Sequence, residues 1–348
     1  MNLDTADRRL LEEIQRDLPF CRRPFAGIGE RCGLSEEEVI LRLEKLLSDG
    51  IIRDISAILK ADRIGFKSTL VATRVKPENV EEVATLVSAH PGVSHNYLRN
   101  HSFNLWFTLA IPERKDFKEE LEKLFSTVRE GIHGYLILPA LRTFKIGINF
   151  RLSGDSINRR DETPTRGDRS SSIARGLSGC YAPGSYDPPF VLLNSTEKRV
   201  LAVLEEDFPL SAEPWRMLAD RAGLNEEDFI EIVEKLKSRG AVKRISGILR
   251  HRRLGFDANG MACFSVPEDE IALSGEKAAE FQEVTHCYQR PTFPEWPYSL
   301  FCMVHANKRE ECERIVGRIA EEIGCSDYTI LYSTREFKKE RVKYFIRV

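Results

Sequence analysis

The sequence predicts an α+β protein built as a tandem duplication of one unit, a winged helix-turn-helix followed by a ferredoxin-like βαββαβ domain. Residues 4–66 align without a gap on residues 194–256 at a constant offset of 190, and 23 of the 63 pairs are identical. Within each copy, apolar residues recur first at helical spacing and then at the alternating spacing of strands. One chain therefore contains two homologous pairs of domains.

The first part of each copy is predicted to be helical. Apolar residues recur at helical spacing over positions 10–14, after a threonine in a capping position, and the second copy repeats this pattern. A second helix is predicted near Ala26–Arg31 and a third over Glu36–Leu47. Ile51–Leu59 follows and is predicted to form a two-stranded wing. The order helix, helix-turn-helix, wing is a winged-helix pattern.

The second part of each copy alternates strands and helices in the order βαββαβ, which is the ferredoxin-like arrangement. In the first copy the predicted elements are Thr69–Val75, Pro77–Ala89, Val93–Arg99, Asn104–Ile111, Lys115–Val128 and Tyr135–Lys145. In the second copy they are Gly260–Val266, Glu268–Phe281, Val284–Arg290, Tyr298–Ala306, Arg309–Ile323 and Tyr328–Phe337.

These patterns set the predicted domain boundaries. The segment 151–190 holds 16 Ser, Gly or Pro among its 40 residues, which is a flexible-linker composition. The predicted units are a winged helix-turn-helix over 1–62, a ferredoxin-like domain over 63–150, the linker over 151–190, a second winged helix-turn-helix over 191–252 and a second ferredoxin-like domain over 253–348. We expect the copies to pair through their sheets as an intramolecular pseudo-heterodimer, with further homo-oligomerisation left open.

Composition limits the classes of function. A net charge of −2 gives no global attraction to nucleic acid, and 42% hydrophobic residues are typical of a globular protein. The eight cysteines show neither a C-x-x-C motif nor metal-finger spacing, which argues against a disulfide framework and a structural metal site. The N-terminus has no apolar signal core, and no segment is long and apolar enough to span a membrane. The sequence therefore predicts a cytoplasmic protein with no membrane partner.

The domain order resembles that of the Lrp/AsnC family of amino-acid-responsive regulators, in which the third helix enters the major groove of DNA. Over residues 35–47 this helix carries four glutamates against Arg42 and Lys45, and over 225–237 five acids oppose two lysines. Phosphate contacts from Lys and Arg supply most non-specific DNA affinity. The acidic residues are instead suited to capping the helices, so we expect no nucleic-acid partner.

A histidine, a tyrosine and an arginine recur at alternate positions of one predicted strand in each copy. They are His95, Tyr97 and Arg99 in the first copy and His286, Tyr288 and Arg290 in the second. Alternation sends the three side chains of each strand to one face, where burial without partners would be costly. The pattern therefore predicts a pocket. Arg suits a carboxylate ligand and His suits proton donation near neutral pH.

Further cations are expected near this pocket, and a subset on the wing and the last strand is predicted to face the cleft between the domains. The candidates are Arg53, Lys60, Arg63, Arg142 and Lys145 in the first copy, and Lys243, Arg244, Arg250, His251, Arg252, Arg253, Arg335 and Lys338 in the second. A protein metal site is not predicted, because His95 and His101 lack a convergent third ligand.

The same residues carry a second resemblance, which spans both copies. The segments His95-Asn-Tyr-Leu-Arg-Asn-His-Ser-Phe-Asn-Leu-Trp-Phe-Thr and His286-Cys-Tyr-Gln-Arg-Pro, with Trp296-Pro-Tyr-Ser-Leu-Phe-Cys-Met-Val-His305, resemble the signatures of the two subunit types of siroheme decarboxylase. The resemblance implies a fused carboxy-lyase that converts siroheme to 12,18-didecarboxysiroheme, releasing two acetate carboxyl groups as CO2 in heme or dioxo-heme biosynthesis. It also implies that no separate cofactor is required, because the tetrapyrrole itself serves as electron sink.

The resemblance assigns roles to named residues. Arg99 and Arg290 would fix substrate carboxylates, and His95 and His286 would bind or protonate the reacting centre. Tyr97 and Tyr288 would orient these groups. The implied substrate-binding residues are His101, Asn104, Trp106, Trp296, Tyr298, His305, Arg244 and His251.

The two predicted sites differ. The loop over residues 291–297 is four residues longer than its counterpart and contains Trp296, so it is expected to cover a macrocycle. This favours the second site as catalytic and the first as mainly structural. Two alternatives stay open, an Lrp/AsnC-type transcription regulator and a heme-sensing protein that uses His95 or His286 as an iron ligand without turnover.

Overall fold

The computed structural model describes residues 3–147, 149–151, 158–160, 190–250 and 258–345. Each copy opens with the three predicted helices and one strand. In the first copy these are α1 (Thr5–Ile14), α2 (Pro24–Cys32), α3 (Glu36–Ser48) and β1 (Ile52–Leu59). In the second copy they are α6 (Ser195–Leu204), α7 (Pro214–Ala222), α8 (Glu226–Ser238) and β9 (Val242–Leu249).

Local sequence explains where these helices begin and end. Asp4 and Asn194 each form a capping box with the first turn of α1 and α6. Helices α2 and α7 begin with proline, and they end at Gly33 and Gly223, whose φ values of 73° and 68° are left-handed. Glycine adopts this conformation without steric cost. The helix-turn-helix of each copy is thus fixed by residues that the copies share.

The predicted two-stranded wing over Ile51–Leu59 is wrong. The segment forms the single strand β1, which pairs antiparallel with β9 of the other copy, with Ser56 opposite Ser246. Within 52–59 the chain has no glycine or proline to make a hairpin turn, so its hydrogen bonds are made to the homologous strand instead. We call this pair of strands the wing ladder.

The ferredoxin-like domains follow in the predicted order. The first copy contains β2 (Phe66–Val75), α4 (Val80–Ala89), β3 (Val93–Arg99), β4 (Leu105–Pro112), α5 (Phe117–Leu124), β5 (Ile132–Leu138) and β6 (Arg142–Ile146), with 3-10 turns at Ala61–Ile64, Pro77–Asn79 and Arg129–Gly131. After β7 (Asn149–Arg151) and β8 (Asn158–Arg160), the second copy contains β10 (Ala258–Phe264), α9 (Ile271–Glu280), β11 (Val284–Gln289), β12 (Leu300–Ala306), α10 (Arg309–Ile323) and β13 (Tyr328–Lys339).

The two ferredoxin-like sheets join into one sheet of nine strands, in the order β5-β2-β4-β3-β13-β10-β12-β11-β6. The first half of β13 pairs with β10, and its second half, from Ser333 to Lys339, pairs with β3 of the other copy. Strand β6 crosses in the opposite sense and pairs with β11. Each copy therefore completes the edge of the other copy's sheet.

The strand predicted over Tyr135–Lys145 is divided in the structure. It ends at Leu138 and resumes as β6 at Arg142, because Pro139 has no N–H to continue the ladder. β5 stays with β2 of its own copy, whereas β6 joins the second copy. The homologous strand β13 makes the same crossing without a break.

One lysine on each crossing strand binds the end of a helix of the other copy. Lys145 Nζ donates to the carbonyl oxygens of Ala279 and Phe281, each at 2.9 Å, at the end of α9. Lys338 Nζ donates to Ser88 O at 2.7 Å at the end of α4. A cation at the C-terminus of a helix stabilises carbonyls that lack helical partners.

Among the described residues, two of the four hydrophobic cores contain buried side chains of both copies. One core contains the helices of both winged domains and the wing ladder. Another lies between the two sheet halves and includes Trp106, Trp296, Phe103 and Phe301. Each ferredoxin-like domain also has its own core under its helices. The two copies therefore pack against each other both at their winged domains and at their ferredoxin-like sheets.

Strands β7 and β8 pair with each other, so the short strand 158–160 lies inside the segment predicted to be a linker. The rest of that segment, apart from residues 151 and 190, lies outside the described residues. Over the described ranges, every helix is too short or too polar to cross a bilayer.

Candidate active site

A cavity of about 740 Å³ lies between the wing ladder and the nine-stranded sheet. Its walls come from both copies. The predicted residues His95, Tyr97, Arg99, His286, Tyr288 and Arg290 all line it. The sequence suggested two separate sites, and the structure instead brings both sets of side chains into one. We call it the shared cavity.

Strand alternation and the crossing strands explain this arrangement. On β3, Asn96 points away from the cavity and is fully buried, where its Nδ2 donates to Ala84 O at 3.0 Å. The residues on either side of it therefore face the cavity. The second half of β13 lies alongside β3 and places Lys339 opposite His95.

Arg99 and Arg290 are held in matching ways. Arg99 Nη1 donates to Leu331 O at 2.9 Å, and Arg290 Nη1 donates to Leu138 O, so each guanidinium binds a carbonyl of the other copy. Burial lowers the pKa of each to about 10. Among the described residues, neither Nε has a hydrogen-bond partner. A buried donor without a partner is costly, and an anion in the cavity would satisfy it.

Burial keeps the two cavity histidines neutral at neutral pH. Burial lowers the pKa of His95 to about 4, with smaller contributions from Arg53 and Lys339. The pKa of His286 also falls to about 4, first because of burial and then because of Arg290. Each imidazole ring has a tyrosine ring as its neighbour. The ring centroids are 6.0 Å apart for His95 and Tyr97, and 6.1 Å apart for His286 and Tyr288.

The cavity wall is strongly basic. Among the described residues, six arginine or lysine side chains line it, against the single acid Glu336. They are Arg53, Arg99, Arg244, Arg250, Arg290 and Lys339. Arg53 is paired with Asp54 at 2.6 Å, and Arg244 Nε donates to Ser246 Oγ at 3.2 Å. A cavity with this excess of cations suits a ligand that carries several carboxylates.

Apolar side chains form another part of the wall. Trp106, Met261 and Phe301 belong both to the core between the sheet halves and to the lining of the cavity. Trp106 is anchored through Nε1, which donates to Phe103 O at 2.6 Å. The flat rings of Trp106 and Phe301, beside cations, fit a large ligand with an apolar ring and charged substituents.

Of the eight residues predicted to bind substrate, Trp106, Arg244 and His305 line the cavity. Four others lie outside it. Asn104 bonds the backbone of Val75 in both directions, and Trp296 is fully buried in the core, 5.2 Å from the ring of Trp106. His101 and Tyr298 pack against Trp296. His251 lies outside the described residues.

The expectation that loop 291–297 covers the ligand is therefore not met. Phe293 and Trp296 bond each other through their backbones and close the loop on itself, and no residue of 291–297 lines the cavity. The aromatic residues of the loop pack into the core because this removes their apolar surface from water.

Sequence reasoning missed several lining residues. They are Gln15, Asn259, Thr108, Met303, Ser333, Glu336 and Lys339, among others. Lys339 could have been found from alternation along β13, once the pairing of that strand with β3 was known. In the described part of the chain, no three His, Cys, Asp or Glu side chains are grouped to hold a metal ion.

The acidic tips of the third helices have partners of their own. Ser35 and Glu38 form a capping box at α3, and Glu36 pairs with Arg23. At α8, Glu226 lies 3.2 Å from Arg22 of the other copy. These contacts agree with the interpretation that the acids stabilise the helices.

Two family models match the chain. The AsnC-like ligand binding domain matches residues 63–145 and 253–338. The siroheme decarboxylase NirDL-like HTH domain matches residues 7–53 and 197–242. Both models match twice, at corresponding positions of the two copies.

Similar proteins span nearly the whole chain. A siroheme decarboxylase from Hydrogenobacter thermophilus is 39% identical over 337 residues, covering 97% of this chain and 94% of the relative. The crystal structure of the siroheme decarboxylase NirDL in co-complex with an iron-uroporphyrin III analogue has a TM-score of 0.71 at 34% identity, covering 98% of this chain and 95% of that one.

Shorter relatives match one copy at a time. The siroheme decarboxylase alpha subunit of Desulfovibrio desulfuricans is 40% identical over 44% of this chain and 88% of its own length. The beta subunit of Methanosarcina barkeri is 38% identical over 43% of this chain and 99% of its own length.

Proposed function

The chain belongs to the siroheme decarboxylase family, and from this membership we propose that it converts siroheme to 12,18-didecarboxysiroheme. The reaction removes two acetate carboxyl groups as CO2 and leaves methyl groups in their place. We assign it to the carboxy-lyases, acting without a separate cofactor as a pseudo-heterodimer of its two copies.

The observation that supports this most directly is the excess of cations around one large cavity. In the described part of the chain, six arginine or lysine side chains and one acid line a cavity of about 740 Å³, a volume within the range of pockets that take small ligands and cofactors. Siroheme is a flat macrocycle with many carboxylates. Each carboxylate buried without a partner would cost several kcal/mol, so a site for it must supply several cations.

Arg99 and Arg290 suit binding better than the chemical step. Each presents a buried Nε donor with no partner among the described residues. A guanidinium on the carboxylate that leaves would stabilise it before reaction, and that stabilisation is lost when neutral CO2 forms. We therefore assign the two arginines to carboxylates that stay on the product, where they hold the macrocycle in register.

His286 and His95 suit proton donation. When the bond to the carboxyl carbon breaks, its electron pair stays on the methylene carbon, which is conjugated with the macrocycle. CO2 leaves, and that carbon takes one proton to become a methyl group. A protonated histidine supplies this proton and is recharged from solvent before the second acetate reacts.

Substrate binding prepares this step. The histidine pKa values near 4 reflect burial in a basic cavity without a ligand. Several carboxylates in the cavity would offset the nearby cations and favour the imidazolium. Binding of substrate and protonation of the catalytic acid are then coupled, so the acid is charged when it is needed.

The test is an anaerobic incubation of the protein with siroheme, followed by mass spectrometry of the tetrapyrrole. Loss of two CO2 units is the expected result, and a heat-denatured sample provides the control. A tetrapyrrole that binds but keeps its mass would favour the heme-sensing alternative instead. A mobility-shift measurement with duplex DNA at low salt tests the regulator, for which tight and salt-sensitive binding is required.

A further inference from the structure

Each cavity histidine is hydrogen bonded through Nδ1 to the side-chain hydroxyl of the residue that precedes it. Ser94 Oγ lies 2.8 Å from His95 Nδ1, and Thr285 Oγ1 lies 3.0 Å from His286 Nδ1. Nδ1 of each ring is therefore engaged by the protein. Nε2 is the nitrogen left for a ligand in the shared cavity.

Behind these hydroxyls the two copies differ. In the second copy, Thr285 Oγ1 lies 3.0 Å from His305 Nε2, and His305 Nδ1 bonds Asn259 Oδ1. In the first copy, Ser94 Oγ lies 2.6 Å from Thr108 Oγ1. Thr108 Oγ1 also accepts a hydrogen bond from the backbone N–H of His95, at 3.2 Å. The His286 ring therefore ends a chain of three further groups, whereas the His95 ring ends a pair of hydroxyls.

The hydrogen bonds that link His286, Thr285, His305 and Asn259 have one donor-to-acceptor direction. The carbonyl oxygen of Asn259 can only accept, so Nδ1 of a neutral His305 carries the hydrogen and Nε2 accepts. The buried Nε2 of His305 then needs a donor, and the Thr285 hydroxyl lies within reach at 3.0 Å. The hydroxyl therefore donates to His305 rather than to His286 Nδ1 or to Met303 O, which is farther away at 3.4 Å. The remaining lone pair of Thr285 accepts from Nδ1–H of His286.

The pair of hydroxyls in the first copy has no such direction. Ser94 can donate to His95 Nδ1 while accepting from Thr108, or it can donate to Thr108 while accepting from His95. Both tautomers of His95 are compatible with these bonds. The first copy therefore leaves the tautomer of its histidine unspecified.

We propose that His305 and Asn259 are positioning residues that act through Thr285 to hold His286 as the Nδ1–H tautomer, with Nε2 directed at the substrate. This role rests on the proposed function for its catalytic consequence. After His286 has given its Nε2 proton to the methylene carbon, the ring is already the tautomer that the chain holds. It therefore needs no rearrangement before it is protonated again at Nε2.

The position of the pair in the sheet supports a dedicated role. Asn259 and His305 are directly opposite each other on β10 and β12, and His305 is 6% exposed. In the first copy the corresponding pair on β2 and β4 is Ser68 and Ala110, which has no imidazole. The fold thus does not need His305 at this place in the sheet.

The tautomer can be read without any activity measurement. In protein labelled with ¹⁵N-histidine and kept at neutral pH without ligand, the two ring nitrogens of His286 should have the shifts of an Nδ1–H tautomer. His286→Gln assigns the signals. Thr285→Val, which keeps the shape but removes the hydroxyl, should give a mixture, and so should His305→Leu. An unchanged His286 spectrum in both variants would overturn the proposal.

Kinetics with siroheme give the second readout. We expect Thr285→Val and His305→Leu each to lower kcat about 10- to 100-fold, with KM changed by about twofold or less. Thr285→Ser and His305→Gln keep a donor and an acceptor in place and should recover most of the activity. The double variant Thr285→Val, His305→Leu should be no slower than either single variant, because both break one chain.

His90→Leu is the matched control, since His90 is hydrogen bonded to Glu120 in the first copy and lies outside the cavity lining. It should leave kcat within about twofold. Wild-type kcat retained by His305→Leu would sink the proposal even if the protein decarboxylates siroheme. A wild type without activity but with the expected tautomers would instead count against the proposed function alone.

Discussion

The two copies hold their arginines alike and their histidines differently. Arg99 and Arg290 each donate to a leucine carbonyl of the opposite copy, and the pKa of each falls to about 10. Behind His286 stand Thr285 and His305, whereas Ser94 and Thr108 stand behind His95. Duplication has therefore kept the anion-binding groups equivalent and let the supports of the proton-donating groups diverge.

This difference suggests how one cavity serves two acetates. A macrocycle with carboxylates around its rim can be held by equivalent arginines from both sides. Proton donation needs only one well-oriented imidazole if the acetates react in turn. The second copy meets that requirement through its hydrogen-bond chain, rather than through its longer aromatic loop as the sequence suggested.

The largest expected effect separates the two histidines. We predict that His286→Ala lowers kcat about 10²- to 10⁴-fold, the usual contribution of a general acid. His95→Ala should cost about tenfold or less, because the hydroxyls behind His95 do not fix its tautomer and leave it the less well oriented proton donor of the two. Single-turnover reactions with siroheme, resolved by mass into the singly and doubly decarboxylated products, measure both.

The ratio between these two variants is the decisive quantity. Equal losses would mean that each histidine serves one acetate, and the single variants would then stall at different monodecarboxylated products. Full double decarboxylation by a His95→Ala, His286→Ala protein would exclude both as essential acids.

Unlike the two histidine variants, the two arginine variants should have equal effects. Arg99→Lys and Arg290→Lys each keep the charge but lose the planar fork that binds a carboxylate at two points. We predict that each weakens binding of an iron-uroporphyrin-type analogue by about 10- to 100-fold, as expected for a charged hydrogen bond. Absorbance titration of the analogue measures this. A tenfold difference between the two variants would show that the substrate sits unequally between the copies.

The sequence predicted the elements well wherever local pattern decides them. Val93–Arg99 and Arg309–Ile323 have the predicted bounds, because strand alternation and helical spacing are complete within each segment. The sequence predicted that the copies pair through their sheets, but local pattern could not show which strands make that pairing. Ile52–Leu59 has the same strand pattern whether it pairs within its copy or with β9.

The site shows the same limit. Alternation along single strands placed His95, Tyr97 and Arg99 together, and these side chains do line the cavity. Residue type misled at Trp296, since a tryptophan in a long loop fits a core as well as a binding face. Lys339 was missed because its place depends on β13 crossing to β3, a contact between segments far apart in sequence.

A smaller effect concerns acid stability. Each cavity histidine has a folded-state pKa near 4 against about 6.5 when unfolded. The unfolded chain therefore takes up protons between these values and the empty folded protein does not, so stability is lost as pH falls from about 6.5 to about 4. We expect a loss of roughly 1–2 kcal/mol per histidine, discounted for solvent in the cavity.

The comparison of wild type with His95→Gln, His286→Gln isolates this contribution. Thermal unfolding of both proteins without ligand, across this pH range, should show the wild type losing its stability faster. Glu205 acts in the opposite direction, since burial raises its pKa to about 7, but it is common to both proteins and cancels. Parallel curves would show that folding does not lower the pKa values of the two histidines.

The smallest effect tests whether the copies are fastened equally. Lys145 donates to two carbonyls at the end of α9, both at 2.9 Å, whereas Lys338 has one short bond to Ser88 O at 2.7 Å and a long one to His90 O at 3.5 Å. Replacing either lysine by Met removes the donor but keeps the aliphatic chain. We predict that each costs about 1–2 kcal/mol, with the larger loss at Lys145.

Melting curves resolve this, because 1 kcal/mol shifts Tm by about 2–4 °C in a domain of this size. Lys118→Met on the exposed face of α5 is the matched control and should shift Tm very little. A larger loss at Lys338 would mean that the crossing of β13 onto β3, and not that of β6 onto β11, holds the copies together. Since β13 also supplies Lys339 and Glu336 to the cavity wall, Lys338→Met would then also weaken analogue binding, whereas Lys145→Met would leave it unchanged.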